Sequence, residues 1–224
     1  EGVNALNMAQ LAIGAIHTLR ETFRDDDMIR VSSIITKCGE MVNTVPAEVE
    51  MQLMVRAPTL EAMLESSKKV DRALKAGALA LGGKVEIRNE IGYLPLHSSR
   101  ELTALYRDNI KSYLGLGDDA FISEYASAGS TDLGDISHIM PCMHIWTGGI
   151  SGALHASDFK VTDREAAFIM PAKMMAMTVI DLLFDRAQGA KTVLDAYRPV
   201  FTKDEYIAFM KDHTGTDTFD GSAI

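Results

Sequence analysis

The first part of the chain shows two different periods of apolar residues. In residues 3–23, apolar side chains recur every three or four positions, which predicts an amphipathic helix. Residues 47–56 alternate one by one between apolar side chains and glutamate or glutamine, which predicts a half-covered antiparallel strand. The β-branched residues at 29–36 predict another strand just before it. The pattern thus begins with a helix and two strands.

A second helix and a third strand continue this pattern. Residues 59–81 have helical spacing up to Gly82, which can adopt the left-handed conformation that ends a helix, and residues 84–88 alternate again. The order is α-β-β-α-β. One more strand before Val3 would complete the ferredoxin-like β-α-β-β-α-β unit, in which two helices cover one face of a sheet. Residues 1–96 are therefore predicted to be an α+β domain that lacks its first strand.

Residues 97–224 are predicted to form a second domain, with helices and Gly-bearing loops. A serine or threonine followed three residues later by glutamate is a capping box, which marks the start of a helix. Such boxes predict three helices, which begin at Ser98 with Glu101 and run to about Tyr113, at Thr162 with Glu165 and run to about Phe184, and at Thr202 with Glu205. Short strands are predicted near residues 121–125 and 142–146. The end of the chain from Thr214 is predicted to be loose.

Charge and composition exclude several partners. The 224 residues are 47% hydrophobic and 24% charged, as in an ordinary globular protein, with a net charge of −9. A phosphate footprint needs clustered Lys and Arg, so nucleic acid and anionic membrane surfaces are not expected as partners. Pro171, Lys173 and Asp181 interrupt the longest apolar stretch, at 166–184, which argues against a bilayer span. The expected partners are small molecules or protein.

The two cysteines, Cys38 and Cys142, form no disulfide framework. They fit a reducing cytoplasm, which is the predicted location, although their spacing leaves a single bridge open.

Three residues are candidates for chemistry, each with an ordinary alternative. Arg56 ends the alternating strand on its polar face, where a guanidinium can bind a carboxylate through two parallel hydrogen bonds or be a plain surface cation. Asn43 precedes a Pro-bearing turn and is either a ligand-binding amide or part of an Asx turn. His155 lies in a loop of small residues, where it is either a metal ligand or a structural histidine.

Glycine-bearing loops are a further candidate, because glycine lets backbone N–H groups approach a ligand closely. Such stretches occur at 129–132 and at Gly148 with Gly149, and tight turns are the alternative reading. His138 and His144 are expected to be structural. Zinc-finger spacing, a phosphate loop, a Rossmann glycine pattern and a nucleophile elbow are all absent from the sequence. These residues alone indicate only an α/β protein of open function.

An ordered set of short motifs resembles a known family, the metal-dependent amidohydrolases of the aminoacylase and glutamate-carboxypeptidase type. The resemblance covers about residues 2–184 and is nearest to the branch of aminobenzoyl-glutamate and hippurate hydrolases. Cys38 stands where that family usually has glycine. The motifs are Gly2-Val3-Asn4-Ala5-Leu6, the stretch from Cys38-Gly39 to Asn43-Thr44-Val45-Pro46, Val55-Arg56, Gly129-Ser130-Thr131-Asp132, Gly148-Gly149, and His155 with Phe159.

The resemblance implies a lid or dimerisation domain at residues 1–96 and the C-terminal portion of a zinc-peptidase-like α/β catalytic domain at 97–224. It implies two divalent metal ions, zinc or manganese, that activate water to attack the amide bond of an N-acyl amino acid. Most metal ligands and the general base precede the lid in that family, so the chain is expected to be an inactive fragment. His155 would be its metal ligand.

The same resemblance assigns substrate contacts. Asn43 and Arg56 would reach the active site, often that of the dimer partner, and bind the substrate carboxylate or the developing oxyanion. Gly148 and Gly149 would line the pocket, and the lids of two subunits would meet in a homodimer. The alternative is a non-catalytic ferredoxin-like module that dimerises or binds an amino acid through Arg56, because a fold does not dictate a function.

Overall fold

The computed structural model describes residues 2–121 and 130–223. Gly129 and the predicted strand at 121–125, apart from Phe121, lie outside the described residues. The helices are α1 (Ala5–Thr18), α2 (Leu60–Leu81), α3 (Arg100–Leu114), α4 (Leu133–Ser137), α5 (Met170–Ala196) and α6 (Lys203–Asp212). The strands are β1 (Arg30–Cys38), β2 (Val49–Arg56), β3 (Lys84–Asn89), β4 (Ile150–Ser151), β5 (Lys160–Val161) and β6 (Gly215–Asp220).

The described residues divide into two compact units. Residues 2–96, 130–135 and 203–223 form the first unit, and residues 97–121 and 136–202 form the second. The C-terminal tail thus lies in the same unit as residues 2–96. The assignment of the two units as lid and catalytic domain stays a prediction.

The core of the first unit is formed where α1 packs on α2 and both cover the strands. Ile16 of α1, Val70 and Leu74 of α2 and Ile87 of β3 are all buried in one cluster. Each helix begins at a side-chain cap: Asn4 Oδ1 accepts the Asn7 N–H at 3.2 Å, and Thr59 Oγ1 accepts the Ala62 N–H at 3.2 Å. Gly82 ends α2 in the left-handed conformation that the sequence predicted.

The strands β1 and β2 form an antiparallel hairpin. Arg30 lies opposite Arg56 at one end and Cys38 opposite Val49 at the other, with an irregularity between Ile35 and Lys37. Burial along β2 alternates as predicted, with Val49, Met51, Leu53 and Val55 half-buried and the residues between them exposed. Arg56 therefore lies on the exposed face. In the described ranges the strands pair as β1–β2, β3–β6 and β4–β5, and the ferredoxin-like arrangement stays a prediction.

The prediction of a loose end from Thr214 is wrong. Residues 215–220 form β6, which pairs antiparallel with all six residues of β3, and a short 3-10 turn at Gly221–Ala223 follows. The tail is polar and rich in Gly, Thr and Asp, so its own pattern carries no strand signal. Pairing to β3 and ion pairs of Asp217 and Asp220 hold it in place.

In the second unit, α3 packs against α5. Tyr106 of α3 and Met174 of α5 are buried. The Asn109 amide of α3 donates hydrogen bonds to two groups of α5, to Thr178 Oγ1 at 3.2 Å and to Asp181 Oδ2 at 2.9 Å. Buried amide and hydroxyl groups are costly unless paired, so this network fixes how the two helices meet. Burial raises the pKa of the Tyr106 phenol.

Two of the three capping predictions for residues 97–224 are shifted by one residue. Ser99, rather than Ser98, caps α3, with its Oγ accepting the Leu102 N–H at 3.3 Å. Asp163, rather than Thr162, accepts the Ala166 N–H at 3.1 Å, where a π-helical turn at Glu165–Ile169 leads into α5. The shifts arise because serine, threonine and aspartate are all good caps and neighbouring candidates compete.

The predicted strand at 142–146 is also wrong. Residues 141–149 have an irregular backbone, and Cys142 O accepts the Ser99 N–H at 2.8 Å, beside the start of α3, instead of pairing with a strand. Cys38 and Cys142 are both free. His138 is buried between the rings of His97 and Phe201, in keeping with a structural role.

Among the described residues, one helical segment, Glu165–Ala196, is long and apolar enough to cross a membrane by length and composition alone. The mean hydropathy of its most apolar window is 1.6, and 11% of that window is buried. The backbone leaves helical geometry between Phe184 and Ala187, close to the predicted end of this helix. The expectation of no membrane partner stays a prediction.

Candidate substrate-binding hairpin

The open end of the β1–β2 hairpin carries two arginines side by side. Arg30 and Arg56 are directly paired across the strands and both are exposed. Residues opposite each other in an antiparallel pair point to the same face, so two guanidinium groups share one surface. Arg56 Nε donates to Met54 Sδ at 2.9 Å. The sequence singled out Arg56 but missed Arg30, because only the strand register reveals that they are partners.

This arginine pair has no counter-charge. Within the described ranges neither Arg30 nor Arg56 forms an ion pair, whereas Lys37 near the other end of the hairpin contacts Glu48 at 2.6 Å and Glu50 at 3.6 Å. The Lys37 ammonium also lowers the pKa of the Glu48 carboxyl through a hydrogen bond and its charge. Like charges directly opposite are unfavourable in a sheet. A carboxylate bound at Arg30 and Arg56 would relieve that repulsion.

Asn43 lies in the loop at the closed end of the hairpin. This loop and the start of α1, at Asn4 and Leu6, line a cavity of about 480 Å³. Pro46 O accepts the Ala5 N–H at 3.0 Å, which ties the loop to the helix. The Asn43 side chain is exposed and makes no hydrogen bond to any described residue. It is not used in an Asx turn, so its amide is available for a ligand.

The hairpin separates the two predicted substrate contacts. Seven residue steps lie between Val49, next to the loop, and Arg56, which corresponds to roughly 23 Å along a strand. Asn43 is beyond Val49, at the loop end. Arg56 and Asn43 of one copy are therefore too far apart to hold the same carboxylate. The resemblance assigned both residues to the substrate, and the structure does not bring them together within a single chain.

His155 lies at an exposed loop between β4 and β5. Its backbone is left-handed, with φ of 65°, and the loop is tightened by the hydrogen bond from the Phe159 N–H to Ala156 O at 3.2 Å. Across the described part of the chain, no group of three or more His, Cys, Asp or Glu residues is placed to hold a metal ion. The described residues therefore do not fit a metal pair, and the role of His155 as a ligand stays a prediction.

Gly149 and Gly148 have different surroundings. Gly149 has φ of 88°, and its carbonyl accepts the Thr162 N–H at 2.9 Å and the Asp163 N–H at 3.1 Å. A Cβ at Gly149 would meet Asp163 O at 2.5 Å and Ala167 N at 2.7 Å, whereas a Cβ at Gly148 would meet nothing within 4 Å. Gly149 is thus required for packing at the start of the long helix. Whether either glycine lines a substrate pocket stays a prediction.

Replacing Gly149 with alanine is expected to lower the free energy of unfolding by about 2 kcal/mol, because the added Cβ strikes backbone atoms and the positive φ is strained. Urea unfolding followed by circular dichroism measures this change. Gly148→Ala is the matched control and should lie within about 0.5 kcal/mol of the parent chain. Equal effects of the two substitutions would contradict the packing role of Gly149.

Comparison with known proteins identifies two relatives. The chain is 32% identical over 197 residues to the Xaa-Arg dipeptidase of Mus musculus, a match that covers 84% of the chain and 44% of that enzyme. It is 32% identical over 194 residues to the Xaa-Arg dipeptidase of Homo sapiens, covering 82% of the chain and 43% of the enzyme. No protein-family model matches the sequence.

The chain spans less than half the length of the curated relatives that it matches. These relatives do not single out the aminobenzoyl-glutamate branch of the resemblance. At a coarser level, the similarity to Xaa-Arg dipeptidases supports a family of metal-dependent peptidases and amidohydrolases for this chain.

Proposed function

We propose that the chain forms the substrate-binding part of a metal-dependent dipeptidase or N-acyl amino acid amidohydrolase, in which Arg56 binds the substrate's free carboxylate. The observation that carries this proposal is the exposed pair Arg30 and Arg56, which share one face without a counter-charge among the described residues. A guanidinium matches a carboxylate with two parallel hydrogen bonds. Arg30 adds a second positive charge at the same place.

The relatives' name and the resemblance point to substrates with one shared feature. An Xaa-Arg dipeptide, named for the relatives, and an aminobenzoyl-glutamate or hippurate molecule each carry a free carboxylate next to the amide nitrogen. A site built to bind that group rejects a neutral analogue, because the charged donors are then left unpaired. We therefore define the substrate class by its free carboxylate, which all of these compounds share, and not by its acyl group, which differs among them.

The catalytic metal ions of this proposal would be bound by the whole protein and not by this chain alone. Two divalent ions, zinc or manganese, would supply the activated water when bound. The described residues offer His155 as a single ligand and do not fit the metal pair by themselves. The part that we assign to this chain is binding and orientation of the substrate.

A homodimer would allow both ends of the hairpin to contact substrate. If Asn43 and Arg56 contact the same substrate, the roughly 23 Å between the two ends requires that they come from different subunits. The outward face of the hairpin also exposes Ile34 and Met54, with 60% and 50% of their surface accessible, which suits a protein contact. We infer that two copies associate through residues 2–96, as the resemblance implies.

The test compares free and blocked carboxylates with the full-length gene product. Hydrolysis of alanyl-arginine, its C-terminal amide, aminobenzoyl-glutamate and hippurate is measured with added zinc or manganese and after chelation. Arg56→Ala is expected to lower kcat/KM for the acids by about 10- to 100-fold, the loss of one charged bidentate contact. Activity toward the amide should not change.

Arg88→Ala is the matched control, because Arg88 is an exposed arginine on β3 that pairs with Glu86 on its own strand. It should retain the parent kcat/KM. Equal losses from Arg56→Ala and Arg88→Ala would contradict carboxylate binding by Arg56. A gene product that binds arginine or glutamate but hydrolyses none of the four compounds would instead favour the non-catalytic binding module.

A further inference from the structure

The C-terminal segment is seated on the edge of β3 by contacts at both ends. Strand β6 pairs with β3 from Gly215 opposite Asn89 to Asp220 opposite Lys84. Beyond the ladder, the Gly221 N–H donates to Gly83 O at 2.8 Å. The sequence pattern does not predict these contacts, and they do not belong to the carboxylate site.

Two lysines on the first unit match two aspartates on the tail. Lys84 of β3 contacts Asp220 at 2.8 Å, and Lys75 of α2 contacts Asp217. Hydrogen bonds from Lys84 and Ser222 lower the pKa of Asp220 to about 2. Two lysines thus face the two aspartates of the segment, although the chain as a whole is strongly negative. The Asp71 carboxylate opposes this attraction in part, since burial and the charge of Asp217 raise its pKa. Charge complementarity selects an acidic strand for this edge.

The C-terminal end of the segment packs closely against the first unit. Gly221 is buried against the end of α2, where a Cβ would meet Ala78 O and Leu79 Cα, both at 2.7 Å. At the other end, a Cβ on Gly215 would meet nothing within 4 Å. Close approach at Gly221 therefore admits only glycine, whereas Gly215 tolerates a side chain.

The segment nevertheless buries little apolar surface. Residues 215–218 are exposed, and Phe219 and Asp220 are half-buried. Backbone hydrogen bonds and surface ion pairs contribute modest net stability, and segments with few buried apolar contacts open well below the global free energy of unfolding. The geometry specifies where the segment binds, and its small apolar burial favours opening of the segment before the rest of the unit.

We propose that the β3 edge, with Lys75, Lys84 and the end of α2, is a binding site for an extended acidic segment, and that residues 215–223 occupy it as a removable strap. Strand addition of this kind uses backbone hydrogen bonds for affinity and side-chain pockets for selectivity. While bound, the strap covers an edge that would otherwise pair with another chain. When it opens, the occupant of the site is the same segment of a second copy.

The test uses four forms of the chain, namely the intact chain, a truncated chain and two valine variants, with a fluorescent peptide of residues 214–224. The chain truncated after Thr214 is expected to bind the peptide saturably, and the intact chain at least tenfold more weakly, because its own strap competes. A peptide with Asp217→Asn and Asp220→Asn should bind the truncated chain about tenfold more weakly, as expected for the loss of two surface ion pairs.

Gly221→Val in the intact chain is expected to displace the strap and to allow peptide binding as in the truncated chain, whereas Gly215→Val should behave as the intact parent. Hydrogen exchange in α2 confirms that each form is folded, and exchange in β3 reports whether its edge is covered. Failure of the folded truncated chain to bind the peptide would overturn the proposal. Equal binding to the intact and truncated chains, or equal behaviour of the two valine variants, would do so too.

Discussion

Replacing Gly77 with alanine is expected to lower the free energy of unfolding of the first unit by about 2 to 3 kcal/mol. Gly77 lies on α2 where α1 crosses it, and an added Cβ would strike Met8 O and meet Ala12 Cβ at 3.0 Å and Ala12 N at 3.1 Å. These are mostly backbone atoms of a helix, so they move only if α1 shifts as a whole, and overpacked cores lose stability on this scale. Urea unfolding of the 224-residue chain measures the change.

Gly14→Ala provides a control of opposite sign on the other helix of the same pair. Gly14 is exposed on α1, and a Cβ there would meet nothing within 4 Å. Alanine has the higher helix propensity, so this variant should gain about 0.5 to 1 kcal/mol. If Gly77→Ala were also neutral or stabilising, α1 and α2 would not pack as closely as the structure has them.

The elements with strong local signals were predictable from the sequence. The helical spacing before Phe23, the alternation that ends at Arg56 and the Gly82 stop signal all correspond to observed helices or strands. Each depends on burial of one face or on a cap within the same segment, and the residues of that segment encode both. Boundaries moved by a few residues, as with the 3-10 turn that replaces the predicted end of the first helix.

The elements that failed depend on partners distant in the chain. Strand β6 is polar and exposed along most of its length, and it exists because β3 offers an edge more than a hundred residues earlier in the sequence. The stretch at 142–146 has strand-like composition but pairs with no strand among the described residues, and its Cys142 carbonyl accepts the Ser99 N–H instead. Local propensity cannot specify such pairings, because context decides whether a strand forms.

The candidate site was predictable in its residue types but not in its arrangement. The polar-face position of Arg56 followed from alternation, while its partner Arg30 required the register of the hairpin. The separation of Asn43 from Arg56 likewise required the order of strand and loop in space. The resemblance assigns Asn43 and Arg56 to the substrate, yet they lie at opposite ends of the β1–β2 hairpin. Whether they share a site across two subunits can therefore be tested by mixing variants.

Co-expression of Asn43→Ala and Arg56→Ala subunits of the full-length gene product is expected to restore part of the hydrolysis that each variant loses alone. If each active site takes Arg56 from one subunit and Asn43 from the other, a mixed dimer has one site with both residues intact and one with neither. Random mixing makes about half of the dimers mixed, so the population should recover about one quarter of the parent activity. The measurement is kcat/KM for alanyl-arginine of the unselected dimer population, and mixed dimers isolated through two different affinity tags, one on each variant, should show about half of the parent activity.

The controls separate shared sites from simple folding defects. Each single variant must be folded and dimeric by circular dichroism and light scattering, and co-expression of either variant with the double variant should give no recovery, because no site then has both residues. Recovery specific to the mixed pair supports a site built across two subunits. If folded mixed dimers stay at the level of the single variants, Asn43 and Arg56 do not complete one site from two subunits. Because roughly 23 Å of strand from Val49 to Arg56 separates them within one chain, Asn43 then has no part in the site of Arg56.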